Sequence, residues 1–92
     1  YVDDLSRACQ AFIDSSRTFG LYNLGGGSAN AARLREIIKT IGSLIELQPE
    51  IEDDPKLPLP VPLNYVSDLT RVREELGWQP QVTIEEGLRN LL

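Results

Sequence analysis

The sequence predicts the α/β fold class, as a small α+β lobe with about four helices and two to three short strands. Three observations indicate this class. Apolar residues recur at helical spacing in four segments, short apolar runs lie between those segments, and clusters of Gly, Pro and Asn separate them. With 92 residues the chain is long enough for one domain with a small core. Because three short strands make only a small sheet, we expect the lobe to pack at the edge of a larger one.

The first helix is predicted over residues 4–15, with Asp3 or Asp4 as its N-terminal cap. Its apolar face is formed by residues at helical spacing, namely Val2, Leu5, Cys9, Phe12 and Ile13. We expect Cys9 to be buried on this face as a small hydrophobic side chain. The run at 21–24 that follows is predicted as a short strand.

The second helix follows the glycines at 25–27, and Asn30 is predicted to cap it. This helix has the clearest apolar stripe of the chain, which consists of Leu34, Ile37, Ile38, Ile41, Leu44 and Ile45. A brief strand is predicted at 47–51. Four prolines then fall within 55–62, and they exclude both a helix and a central strand there. We therefore expect an extended connection on the surface.

The last third of the chain is predicted as a strand and two capped helices. A short strand is predicted at 63–66, and the polar pair at 67–68 supplies a cap for the third helix. Gly77 ends that helix, and Trp78 lies where a C-terminal cap places its hydrophobic contact. The T-x-x-E sequence at 83–86 is a capping box, which predicts the start of the fourth helix.

Composition and net charge exclude several classes of function. The chain carries 14 acidic against 9 basic residues, a net charge of −5, and no basic cluster, which argues against nucleic acid and anionic membranes as partners. It has no His, which excludes His-based metal sites and His general bases. The acidic run at 50–54 lacks the spacing and the Gly of a calcium loop, so we predict no metal site. Cys9 is the single cysteine and fits a reducing compartment, so we expect a cytoplasmic protein.

The glycines at 25–27 follow a strand-like run and precede a helix, which is the layout of many phosphate-binding loops. A P-loop requires Lys and then Ser or Thr after its last Gly, but Gly27 is followed by Ser28 and Ala29. A dinucleotide fingerprint requires three glycines at fixed spacing, and only two of them match here. The interpretation that we favour is structural: at least one glycine has a positive φ angle, which allows a tight entry to the second helix.

Three segments together resemble a known family. They are YVDDLSRA at 1–8, YNLGGG at 22–27 and YVSDLTRVREELGWQPQVTIEEGLRNLL at 65–92. These segments are similar to the C-terminal part of extended short-chain dehydrogenase/reductases, the NAD-dependent nucleotide-sugar epimerases and dehydratases. The three-glycine turn with Asn30 is most similar to the CDP-paratose (CDP-tyvelose) 2-epimerase branch of that family.

The resemblance implies that residues 1–92 are a single C-terminal substrate-binding lobe, a fragment of a larger enzyme, which agrees with the absence of Met. In such enzymes an N-terminal Rossmann domain binds NAD and carries the catalytic Tyr-x-x-x-Lys pair. The resemblance therefore implies no catalytic and no cofactor-binding residue in this chain. It implies that Gly26, Gly27 and Asn30 contact the nucleotide-sugar substrate. It also implies self-association through the surface that would face the Rossmann domain, around Val2, Leu5 and the strand at 21–24.

The sequence departs from the family pattern at one position. Many members carry Arg-x-Gly-Asp about ten residues before the small-residue-Asp pair, and that Arg holds the phosphates of the substrate. The corresponding stretch begins here at Pro58, and the nearest cation is Lys56. A flexible Lys does not reproduce the planar fork of Arg. Either the substrate is held differently, or it is not the usual nucleotide sugar. The alternative to the enzyme lobe is a non-catalytic binding or adaptor domain derived from the same fold.

Overall fold

The computed structural model describes residues 1–58 and 64–92. Within these ranges the chain forms four α-helices and one 3-10 turn. In chain order they are α1 (Val2–Asp14), the 3-10 turn (Ser28–Asn30), α2 (Leu34–Leu44), α3 (Thr70–Leu76) and α4 (Ile84–Leu91). α1 packs against α3, and α2 packs against α4.

The predicted α/β class is wrong for the described part of the chain, which contains the helices but no strand. The runs at 21–24, 47–51 and 64–66 all have irregular backbone. Residue 63 of the third predicted strand lies outside the described residues, as do 59–62 of the proline-rich connection. A short apolar run becomes a strand only when a neighbouring backbone supplies hydrogen bonds. No described segment does so here.

Tyr22 fixes the irregular segment that was predicted as the first strand. Its ring lies edge-on to Phe12 of α1, with a centroid distance of 6.5 Å. The guanidinium carbon of Arg71 in α3 lies 5.5 Å from the centroid of the same ring. Side-chain packing between α1 and α3, rather than pairing in a sheet, therefore holds this segment.

α1 begins earlier than predicted, and its first residues have different roles. Tyr1 is the N-cap, and Asp3 and Asp4 lie within the first turn. The prediction that Asp3 or Asp4 caps the helix is therefore wrong. The predicted burial of Cys9 is also wrong, because the thiol is exposed. The side of α1 that is buried against the rest of the chain carries Asp4 and Ala8.

α2 begins at Leu34, so the prediction that Asn30 caps this helix is wrong. Asn30 instead ends the 3-10 turn, and the N-cap of α2 is Arg33, whose backbone N–H donates to the Glu36 carboxylate at 2.8 Å. The C-terminal end is a Schellman motif. Glu46 has a φ angle of 57°, and the N–H of Leu47 donates to the carbonyl of Gly42 at 2.9 Å.

The predicted end of α3 and start of α4 are confirmed, but the prediction that the polar pair at 67–68 caps α3 is wrong. Leu69 is the N-cap of α3. Asp68 accepts the backbone N–H of Thr70 at 3.0 Å, beside the start of the helix. Gly77 ends α3 in the left-handed region with φ 66°. The capping box of α4 is present, because Thr83 Oγ1 accepts the N–H of Glu86 at 3.2 Å and the Thr83 N–H donates to the Glu86 carboxylate at 3.1 Å.

The apolar core of the described residues is small. It consists of Ala8, Leu69, Val72 and Trp78, with Tyr22 and Leu76 packed against it. The radius of gyration is 16.5 Å, whereas a compact chain of this length has about 12 Å. The molecule measures 49 × 30 × 17 Å. Many large apolar side chains are therefore exposed. They include Val2, Leu5, Ile13, Phe19, Leu21, Leu34, Leu47, Tyr65 and Leu91.

Candidate functional site

The glycine turn at 25–27 is packed tightly against Ser67. Gly27 has φ 67° and ψ −170°, a region that only glycine occupies readily, which confirms the predicted positive φ. The N–H of Gly27 donates to Ser67 Oγ at 3.0 Å. A Cβ atom on Gly25 would lie 2.5 Å from the same hydroxyl oxygen. Glycine is therefore required at 27 for its backbone angles and at 25 for close approach.

Asn30 closes the glycine turn from the other side. Its side-chain N–H donates to the carbonyl of Gly26 at 3.1 Å. A Cβ atom on Gly26 would lie 2.7 Å from Asn30 Cβ, so these two residues are in direct contact. The bond uses one of the two amide hydrogens, and the amide oxygen is still an acceptor.

A cavity of about 560 Å³ lies beside this turn. The glycine turn, the start of α1, the segment after α3 and one face of α4 form its walls. Gly26 and Asn30 line the cavity, but Gly27 does not. The structure thus brings together two of the three residues predicted to contact substrate, while the N–H of Gly27 is engaged by Ser67.

The walls of the cavity are mostly apolar, and Asp4 is the one charged residue among those that line it in the described part of the chain. Trp78, Val82 and Leu88 contribute large apolar surfaces. Neither Lys nor Arg lines the cavity, so its described wall provides no cation for a phosphate group. The cavity is therefore suited to apolar or uncharged parts of a ligand.

Asp4 joins α1 to the segment between α3 and α4. Only 7% of its surface is exposed. Oδ1 accepts the backbone N–H of Gln81 at 2.9 Å and also contacts the Arg7 guanidinium, while Oδ2 accepts the N–H of Val82 at 3.2 Å. The carbonyl oxygen of Asp4 accepts the indole N–H of Trp78 at 2.9 Å. This role could not be predicted from the sequence, because nothing local to residue 4 indicates partners at 78–82.

Two opposing effects act on the pKa of Asp4. Burial disfavours the charged carboxylate and raises the pKa, whereas the N–H groups of Gln81 and Val82 and the Arg7 guanidinium lower it. The hydrogen bonds and the positive charge prevail, so the pKa of Asp4 lies below its usual value of 3.8. Asp4 is therefore a charged structural anchor at neutral pH and does not exchange a proton there.

The acidic run predicted to be free of metal is engaged with nearby basic and backbone groups. Asp53 contacts the Arg35 guanidinium with both carboxylate oxygens, at 2.8 and 2.9 Å. Asp54 accepts the N–H of Lys56 at 2.9 Å. Across the described ranges no group of three or more His, Cys, Asp or Glu residues is arranged to hold a metal ion. No helix in those ranges has both the length and the apolar character to cross a membrane.

Comparison with known proteins identifies enzymes named for nucleotide sugars. The chain is 29% identical to UDP-glucuronic acid decarboxylase 1 of Arabidopsis thaliana over 96 residues, which covers 100% of this chain and 20% of that protein. It is 30% identical to dTDP-glucose 4,6-dehydratase of Streptomyces niveus over 96% of this chain and 26% of the relative. It is 29% identical to UDP-glucuronate 4-epimerase of Thermodesulfobacterium geofontis over 97% of this chain and 27% of that relative.

These matches support the predicted resemblance at the level of nucleotide-sugar epimerases and dehydratases. They do not support the narrower likeness to CDP-paratose or CDP-tyvelose 2-epimerases, since the relatives are named for UDP- and dTDP-linked sugars. The chain spans only about a fifth to a quarter of the length of these relatives. No family model matches the chain, and no solved structure shows a significant match.

Proposed function

We propose that the chain is the substrate-side lobe of an NAD-dependent nucleotide-sugar epimerase or dehydratase. One observation carries this proposal: nearly the whole chain, 96–100%, aligns with enzymes named for UDP- or dTDP-linked sugars. The chain corresponds to only 20–27% of each of these relatives. A larger polypeptide of this kind has ample length for a Rossmann domain that binds NAD and performs hydride transfer.

The residues of the chain support this division of labour. Hydride transfer between a sugar and NAD requires a base near the reacting hydroxyl. The chain has no His, and none of Tyr1, Tyr22 and Tyr65 is followed by Lys four positions later. In this proposal the catalytic Tyr and Lys belong to the Rossmann domain, and this chain contributes binding contacts.

Gly26 and Asn30 are the proposed substrate contacts, and Gly27 has a supporting role. Gly26 and Asn30 line the cavity, which gives them direct access to a ligand there. Gly27 acts in this proposal by holding the turn, because Ser67 accepts its N–H. The amide oxygen of Asn30 is an acceptor for a sugar hydroxyl or a base N–H.

The proposal is tested on the complete polypeptide encoded by the gene. We expect it to contain an upstream glycine fingerprint and a Tyr-x-x-x-Lys pair, to bind NAD, and to convert UDP-glucuronic acid or dTDP-glucose. Asn30→Ala should raise KM about tenfold, because it removes one hydrogen bond to the ligand. Asn23→Ala is the matched control, because Asn23 is exposed and does not line the cavity. It should leave KM unchanged.

A second candidate is a non-catalytic binding or adaptor domain derived from the same fold. The observation that favours it is the lack of a cation: the Arg of the family pattern is missing from its expected position, and neither Lys nor Arg is among the described residues that line the cavity. A complete polypeptide without the glycine fingerprint and without turnover of either sugar nucleotide would support this candidate and refute the first.

A further inference from the structure

Asp4 bonds to a wall of the cavity that is distant from it in sequence. It lies in the first turn of α1, and its partners lie 77 and 78 positions later, at Gln81 and Val82. Asp4, Trp78 and Val82 all line the same cavity. The width of the cavity at this end therefore depends on the bonds that Asp4 makes.

The chemistry of these bonds requires a carboxylate. The N–H groups of two consecutive residues, Gln81 and Val82, donate to different oxygens of Asp4. An amide side chain has one acceptor oxygen and one NH₂ group, so an Asn would direct a donor at one of the two N–H groups. Arg7 pairs with Asp4 and does not line the cavity, so it supports the carboxylate without touching a ligand.

We propose that Asp4 is a positioning residue for ligand binding in the cavity, because its bonds to residues 78–82 set the separation of the two walls. The ligand class is the nucleotide sugar of the proposed function, on which this inference rests. Asp4 acts through Trp78 and Val82, which present the apolar surface, rather than through proton transfer. Its loss should weaken ligand binding while the four helices persist.

The test is a titration of the ¹⁵N-labelled chain with UDP-glucuronic acid and with dTDP-glucose, followed by NMR. The amide shifts of Gly26 and Asn30 give a dissociation constant even in the millimolar range. We expect Asp4→Asn to weaken binding about fivefold or more. Asp3→Asn is the matched control, since Asp3 is an exposed carboxylate of the same helical turn that does not line the cavity. It should change the constant less than twofold.

A spectroscopic signature separates positioning from general destabilisation. The amide resonances of Gln81 and Val82 and the indole N–H resonance of Trp78 should shift in Asp4→Asn and remain in place in Asp3→Asn. The resonances of the α4 capping box, at Thr83 and Glu86, should persist in both variants. Equal affinity of Asp4→Asn and the unmodified chain would overturn the role of Asp4.

Two further outcomes are decisive. If the unmodified chain binds neither sugar nucleotide at 20 mM, roughly −2 kcal/mol, this inference fails, whereas the proposed function is decided by the complete polypeptide. If Asp4→Asn unfolds, the comparison uses Arg7→Gln, which removes the cation and leaves the carboxylate bonds to the backbone. We expect binding to weaken about twofold to threefold in that variant. An unchanged affinity would refute the inference without affecting the proposed function.

Discussion

At the scale of single residues, Asp4 joins distant parts of the chain through several hydrogen bonds. Its carboxylate and carbonyl together receive three N–H groups from Trp78, Gln81 and Val82. Removing a buried acceptor leaves its donors without partners and costs about 1–3 kcal/mol for each group. Asp4→Ala keeps the backbone carbonyl that accepts from Trp78 but leaves the N–H groups of Gln81 and Val82 without an acceptor, so we expect it to lower the free energy of unfolding by about 3 kcal/mol.

The lowered pKa of Asp4 predicts a dependence of stability on pH. The pKa of an Asp carboxyl group in the unfolded chain is about 3.9. A carboxyl group whose pKa is lower than this in the folded chain stabilises the fold at pH values above the unfolded-state pKa. That contribution is lost as the pH falls through the folded value. In urea unfolding experiments, the contribution of Asp4 to the free energy of unfolding should be constant at pH 5–7 and should decrease below about pH 4. The decrease should be smaller in Asp4→Asn than in Asp3→Asn, and equal decreases would contradict the assignment.

Two glycines with positive φ allow backbone strain to be separated from steric conflict. A Cβ atom on Gly77 would meet no other atom within 4 Å, so Gly77→Ala should cost about 1 kcal/mol from strain alone. At Gly27 a Cβ atom would also lie 3.0 Å from Leu69 Cδ1, a core residue, so Gly27→Ala should cost more. Urea denaturation of both variants measures the difference. A larger loss in Gly77→Ala would show that the two turns were interpreted wrongly.

At the scale of elements, the start of α4 and the end of α3 could be predicted from the sequence, whereas the N-caps of the first three helices and the absence of strands in the described residues could not. The capping box at 83–86 and the glycine after α3 are local features, complete within a few residues, and both form as predicted. A strand depends on a partner backbone elsewhere, so the run at 21–24 could not reveal that none of the described residues pairs with it. The same limit explains Asp4, whose partners lie more than 70 residues away.

Within the candidate site the same distinction holds. The positive φ of the glycine turn followed from three adjacent glycines, which is a local pattern. The hydrogen bond from the Gly27 N–H to Ser67 Oγ could not be predicted from a local pattern, because Ser67 lies 40 positions later in the sequence. The exposure of Cys9 was also unpredictable from helical spacing, since the buried side of α1 carries Asp4 and Ala8, neither of which belongs to the predicted apolar face.

Two helices carry an internal glycine, and the structure predicts opposite effects of alanine at the two positions. In α4 a Cβ atom on Gly87 would make ordinary contacts of 3.6 Å with Tyr1 and 3.8 Å with Val82. Gly87→Ala should therefore stabilise the chain by about 0.5–1 kcal/mol through helix propensity. In α2 a Cβ atom on Gly42 would lie 2.6 Å from the Leu47 carbonyl oxygen, which is fixed backbone.

We expect Gly42→Ala to lower the free energy of unfolding by about 1 kcal/mol or more, because the Schellman turn must shift. Thermal unfolding followed by circular dichroism measures both variants under the same conditions. The two changes are chemically identical and differ only in surroundings, so each is the control for the other. A loss of stability in both variants would contradict the packing described for α4.

At the scale of the whole molecule, exposed apolar side chains on α1 predict self-association, which remains a proposal. Val2 is 61% exposed and Leu5 is 52% exposed. Apolar surface of this kind tends to be covered by a partner. Sedimentation equilibrium should show a dimer or a higher assembly that weakens at least tenfold in Leu5→Glu. Leu57→Glu, at an exposed position outside this surface, is the control. A monomer at high concentration would refute the proposal.

The isolated chain should neither bind NAD tightly nor convert a sugar nucleotide. It lacks a complete set of glycines at a strand-to-helix turn, and none of the described residues forms a strand. Calorimetric titration with NAD should give a dissociation constant no better than millimolar, roughly −4 kcal/mol. Micromolar binding of NAD would contradict the proposal that another domain binds the cofactor. Turnover by the isolated chain would contradict the proposal that another domain carries the catalytic residues.

The 49 × 30 × 17 Å dimensions affect how any assembly of this chain is detected. An elongated particle has more friction with solvent than a sphere of equal mass, so it diffuses more slowly and enters fewer pores of a gel matrix. A monomer of 10.3 kDa should therefore elute ahead of globular standards of its own mass and resemble a dimer. Light scattering and sedimentation equilibrium determine mass without reference to shape. With these methods an early elution peak that comes from length alone is distinguished from one that comes from two associated chains.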